Sequence, residues 1–123
     1  MAGERYFFDT YALIERQNGS DAYAAFQGAA VFTHQYNLYE FVAAIMRVAD
    51  EARARRELAL LHPNALEAET EDLFAAARFR AEHARKRVSY VDALGYTLAR
   101  KHDLPFLTGD RVFKGIDGVE FVP

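Results

Sequence analysis

The chain contains no cysteine, so disulfides and thiolate metal sites are both excluded, and a cytoplasmic setting is the simplest expectation. It has no apolar run near the roughly 18 residues of a membrane span, and no charged segment leading into an apolar one as a secretory leader would require. It also lacks an excess of positive charge. The formal net charge is -3, which argues against a protein that coats nucleic acid through a generally basic surface, so any such contact must be local. No repeat, low-complexity tract or flexible linker is present. What the 123 residues do contain is 51% hydrophobic side chains, enough for one substantial core and too few for a second domain; a single domain over residues 1–123 is expected.

Along the chain, "RYFF" reads as a short strand ending at Asp9, which can cap a helix through "YALIERQ" that stops at Asn18-Gly19. Ser20 is placed to cap a short helix, "DAYAAFQ", and "AAVFT" reads as a second strand. From Asn37 to about Leu61 the residues favour one helix, broken late if at all, until His62-Pro63 interrupts it. A further helix is predicted from Ala65 to about Arg87, with Leu66, Leu73, Phe74 and Ala77 near one face. Ser89 starts a third long helix, "YVDALGYTLARKHD"; "LPFLT" and "GVEFV" then read as strands joined by "GDRVFKGI". Strands alternating with helices predict an α/β domain, with a mostly parallel sheet of about four to five short strands flanked by helices. Tyr6, Phe7, Phe8, Leu94, Leu98, Phe106 and Leu107 are its candidate core.

Four acids stand out by position. Asp9 and Asp110 each follow a strand, Glu40 lies in the first turns of the long helix, and Asp92 lies in the first turn of the helix at Ser89. Sites in α/β sheets form beyond the carboxyl ends of the strands, where helix N-termini also point. Each acid also has a plain structural account as a cap: Asp9 and Asp110 as N-caps, and "NLYE" and "SYVD" as capping boxes. Taken together, however, four carboxylates at one edge repel one another and require protons or cations. Oxygen-only ligation suits Mg²⁺ or Mn²⁺.

The remaining polar candidates are less telling. No two of His34, His62, His83 and His102 have metal-ligand spacing, although His34 precedes the Glu40 helix and is within reach of the site. Asp117 reads as part of an Asp-Gly turn. Arg111 and Lys114 follow Asp110, where phosphate contact and simple solvation are equally good accounts. The clusters Arg53, Arg55, Arg56 and Arg78, Arg80, Arg85, Lys86, Arg87 read as solvated helix faces.

With "FFDTYALIE", "NLYEF", "SYVDALGYTLA" and "PFLTGDRVFKGIDGVEFV" in view, the chain resembles the PIN-domain ribonucleases, especially the VapC-type toxins of toxin–antitoxin pairs. Residues 47–87 carry no motif of the resemblance. It implies a PIN-like three-layer fold, Asp9, Glu40, Asp92 and Asp110 as the acidic metal-binding quartet, and Thr108 and Thr10 as accessory hydroxyls. It further implies cleavage of single-stranded RNA with Mg²⁺ or Mn²⁺, an antitoxin partner and a homodimer. Two other classes compete. A receiver-like signalling domain also uses a strand-end Asp, but "FFDTYA" lacks the adjacent acidic pair. A non-catalytic interaction module would use the acids only as caps.

Overall fold

The computed structural model describes residues 4–123; the first three residues of the expected domain span lie outside the described residues. Five strands, β1 (Arg5–Phe8), β2 (Ala30–His34), β3 (Ala65–Leu66), β4 (Phe106–Thr108) and β5 (Val119–Phe121), form one sheet in the order β3-β2-β1-β4-β5. Every pairing is parallel, so the sheet is wholly rather than mostly parallel. The helices are α1 (Thr10–Gln17), α2 (Gln35–Val48), α3 (Glu51–Leu61), α4 (Thr70–Glu82) and α5 (Tyr90–Lys101).

The aromatic run in β1 explains the three layers. Successive side chains of a strand point to opposite faces, and both Phe7 and Phe8 are fully buried. Phe7 joins Val88, Leu98, Leu104, Phe106 and Phe113 in a core under α4 and α5, while Phe8 joins Leu13, Tyr23, Leu38, Phe41 and Leu107 in a second core under α1–α3. A strand buried on both faces belongs in the middle of a parallel sheet, and β1 is the central strand. On the first face Gly95 brings α5 close: a Cβ there would stand 2.9 Å from the Phe7 ring.

The segment without motifs departs from expectation. The predicted helix from 37 to 61 is two helices, because Asp50 caps a new start by accepting from the Arg53 N–H at 2.9 Å. The first of them begins at Gln35 with His34 as its cap, so Asn37 is not a cap but a fully buried residue inside α2. The predicted helix from 65 to 87 is replaced by the edge strand β3, then α4 from Thr70, then a 3-10 turn ending at Arg87 in the left-handed region. Leu73 and Phe74 are exposed, and α4 turns Ala76 and Asp72 inward instead. The short helix after Ser20 is 3-10, and Ser20's side chain does not cap it. Its Tyr23 nevertheless anchors it, fully buried and donating its hydroxyl to the Val122 carbonyl at 2.8 Å.

Candidate metal centre

All five strands run the same way, so their carboxyl ends share one edge, and the N-termini of α1, α2 and α5 lie there too. Asp9 caps α1, its Oδ1 accepting from the Ala12 N–H at 2.8 Å, while its Oδ2 accepts a short bond from the Thr108 hydroxyl on the neighbouring strand. Thr108 also accepts at its oxygen from the Asp110 N–H at 3.0 Å. One buried hydroxyl thereby ties the ends of β1 and β4 together. Asp110 caps the next 3-10 turn through the Val112 N–H at 3.1 Å. On α5, the Ser89 hydroxyl oxygen accepts from the Asp92 N–H at 3.0 Å, which fixes the turn that presents the Asp92 carboxylate. On α2, Glu40 accepts from the Thr10 hydroxyl at 2.5 Å, and Thr10 in turn accepts from the Asn37 amide at 3.2 Å.

The capping account and the site account therefore hold together. Asp9 and Asp110 do cap, and they also face other acids. Asp9 is only 2% exposed. Burial pushes its carboxyl up to about 8, opposed by the Thr108 and Ala12 hydrogen bonds and reinforced by the charges of Asp92 and Asp110. Asp92 is pushed up to about 6, chiefly by burial, with its Ser89 hydrogen bond opposing and the charges of Asp110 and Glu40 adding to the rise. Asp9 is thus within electrostatic reach of Asp92 and Asp110, and Asp92 of Asp110 and Glu40, and no lysine or arginine contributes to holding either Asp9 or Asp92 in its charged form.

A divalent cation fits this donor set. The four carboxylates, with the Thr10 and Thr108 hydroxyls behind them, are hard oxygen donors lacking a protein cation. Among the described residues, no three His, Asp or Glu groups are drawn together tightly enough to grip an ion at once. Mg²⁺ keeps several waters and takes one or two carboxylates, so it does not require three at once. Asp9 and Asp92, the most perturbed pair, are the residues that would hold it.

Sequence reasoning missed Asn37 as a member of this network. It is fully buried on the core side of α2 beside Leu38 and Phe41, and its Oδ1 is buried without a hydrogen-bond partner. A polar amide within an apolar helix face was the available signal. His34, beside the site, accepts from the Tyr36 N–H through Nδ1 at 3.2 Å. Burial lowers its pKa, so it is a neutral cap. Arg111 and Lys114 are exposed around the turn that Asp110 caps.

The wholly parallel sheet, with acids at its carboxyl edge, defines an α/β domain. The family model of the PIN domain matches residues 6–119, and the chain belongs to the PIN-domain family. Among solved structures, it is similar to a toxin–antitoxin complex from Klebsiella pneumoniae, with TM-score 0.80, 21% identity, and 96% of this chain and 98% of that chain covered. It is also similar to VapC20 of Mycobacterium tuberculosis, a toxin that cleaves the sarcin–ricin loop (TM-score 0.73, 20% identity, 96% and 99% covered). A protein of Pyrobaculum aerophilum gives TM-score 0.68, 22% identity, and 99% and 92% covered. No curated protein matches the chain in sequence. The strand order β3-β2-β1-β4-β5 also sets aside the receiver-like alternative, whose order is 2-1-3-4-5.

Proposed function

We propose that this chain is a Mg²⁺- or Mn²⁺-dependent endoribonuclease that hydrolyses phosphodiester bonds in single-stranded RNA, and that it is the toxin of a toxin–antitoxin pair. The observation that carries this reading is Asp9: a carboxylate almost wholly buried, pushed up to about 8, and facing acids instead of bases. Such an arrangement costs stability without a cation and has a use with one.

A bound divalent ion supplies an activated water and neutralises charge on the phosphate during in-line attack. Asp9 and Asp92 would hold the ion directly. Thr108 locks the Asp9 carboxylate in one orientation, since the hydroxyl is itself fixed by the Asp110 N–H. Glu40, held by Thr10, and Asp110 would bind the ion directly, through water, or orient the nucleophile. The acids repel an RNA phosphate unless a cation is present, so binding and cleavage depend on the same ion.

The antitoxin partner and a homodimer rest on the likeness to the Klebsiella complex and on apolar side chains left in solvent, among them Met46, Val48, Leu60, Leu73 and Phe74. A cytoplasmic location and a single domain over 1–123 complete the proposal; among the described residues, no helix is long and apolar enough to cross a membrane. Incubation with single-stranded RNA tests the reading: EDTA should stop cleavage and Mg²⁺ or Mn²⁺ restore it. Equal cleavage in excess chelator would refute the metal mechanism. If Mn²⁺ altered neither melting temperature nor RNA integrity, the chain would be a non-catalytic interaction module.

A further inference from the structure

On the β2–β3 side of the same sheet edge lies a groove of about 690 Å³ that none of the four acids lines. His34, Tyr36, His62, Pro63, Leu66 and Glu67 contribute to its walls. It adjoins the acid centre. Carrying the β1–β2 register two residues beyond Phe7↔Phe32 sets His34 beside Asp9, and Tyr36 stands one turn ahead of Glu40 on α2.

We propose that this groove receives one nucleobase of the single-stranded RNA whose backbone crosses the acid centre, stacked on Tyr36. The inference rests on the ribonuclease reading and adds a residue-level account of how that substrate is held. Tyr36 is 53% exposed, yet its ring is braced edge-on against His34, with centroids 5.0 Å apart and planes at 73°. A half-exposed aromatic ring that is held in place binds a base without first being ordered, and stacking tolerates any base because every base has a π-face. No lysine or arginine lines the groove, so it offers a phosphate no counter-charge; it is built for a base rather than for backbone. Pro63 and Leu66 supply apolar surface for a flat ring, and Glu67 at the rim supplies an acceptor for an exocyclic amino group. An apolar protein segment would use the first of these and leave the His62 imidazole and the Glu67 carboxylate unmatched.

The test measures the anisotropy of a short, 5′-labelled single-stranded RNA, with Ca²⁺ in place of Mg²⁺ to hold cleavage back. Wild type is compared with Tyr36→Ala, Tyr36→Phe and His62→Ala, each with its melting temperature. A series of oligonucleotides lacking one base at each position in turn completes the set. Tyr36→Ala should weaken binding by about five- to a hundredfold, the range for losing one stacked base, and Tyr36→Phe should bind as wild type does. At one position, base removal should weaken wild type to a similar degree and leave Tyr36→Ala unaffected. Should Tyr36→Ala fail to fold, loss of the single-position effect in His62→Ala carries the same conclusion. The proposal is overturned, with the ribonuclease reading intact, if wild type binds and cuts RNA while Tyr36→Ala and His62→Ala match it on every oligonucleotide. Unchanged RNA affinity with altered sedimentation would make the groove a protein contact and overturn it as well. A wild type that binds no single-stranded RNA would sink both readings.

Discussion

Replacing Asp9 with Asn isolates the tension at the centre of the site. With metal chelated, the folded protein holds the Asp9 proton up to about pH 8, whereas the ordinary value is 3.8. Because the folded value is the higher one, the stability linked to this group is fully present below pH 3.8 and is lost as pH rises through 8. The loss is about 1.4 kcal/mol for each pH unit inside that window, hence roughly 2–3 kcal/mol between pH 5.5 and 7.5. Asn carries no charge to lose. Its Oδ1 can still accept from the Ala12 N–H, but its amide nitrogen must donate to Thr108, whose own proton then loses its acceptor, a cost of about 1–3 kcal/mol. At pH 7.5 the full linkage term is of the order of 5 kcal/mol, so it exceeds that cost. The variant should therefore melt higher than wild type in EDTA, by roughly 5–10 °C for a gain near 2 kcal/mol. At pH 5.5 the difference should shrink or reverse. Saturating Mn²⁺ should raise the wild type by about 2.7 kcal/mol at 100 times Kd and barely move the variant. Circular dichroism melts of both proteins, at both pH values, with EDTA and with Mn²⁺, read all of this. An Asp9→Asn protein less stable than wild type in EDTA at pH 7.5, with an undiminished Mn²⁺ response, would refute the reasoning.

Asp92→Asn and Glu40→Gln should each lower RNA cleavage by at least about a hundredfold with the fold retained, as expected when a group that holds the activating ion or orients its water is lost; initial rates within a few-fold of wild type would remove that residue from the centre. Gly95→Ala should destabilise the protein by about 1–3 kcal/mol, because the new methyl meets the Phe7 ring, and a urea midpoint equal to wild type would show that α5 can back away freely. Asp72 lies below the ordinary carboxylate range, chiefly through the Glu69 N–H and also through Lys101 at 2.9 Å. It therefore adds stability above its ordinary value of 3.8 that disappears as pH falls, so Asp72→Asn should be less stable at pH 7 and closer to wild type at pH 3; an equal deficit at both pH values would contradict that origin.

The two ends of the chain were legible because their signals agree at several levels. "RYFF" is aromatic and Asp9 follows it as a cap; "SYVD" opens α5; "FLT" is bounded by Pro105 and Gly109. The middle was not, for physical reasons visible in particular residues. β3 is a two-residue edge strand at Ala65–Leu66, too short for any periodicity to show. The break between α2 and α3 falls at Ala49–Asp50 without glycine or proline, and only the capping capacity of Asp50 marked it. Leu73 and Phe74 look like core in sequence but lie in solvent. At the site, helix starts disclosed where the four acids lie, while the hydroxyl bridge and the buried Asn37 amide depend on which strands become neighbours, which only the assembled sheet decides.

The bond from Thr108 to Asp9 joins residues 99 positions apart, as does the bond from Tyr23 to Val122. Among the described residues β4 and β5 follow every other strand along the chain, yet β4 pairs directly with the first strand. A nascent chain ending at Lys101 already carries Asp9, Glu40 and Asp92, but it lacks Asp110, the hydroxyl that orients Asp9, and a neighbour for that edge of β1. The acid cluster therefore hangs on that long-range pairing: without β4 beside β1, Asp9 has neither its Thr108 donor nor its Asp110 neighbour.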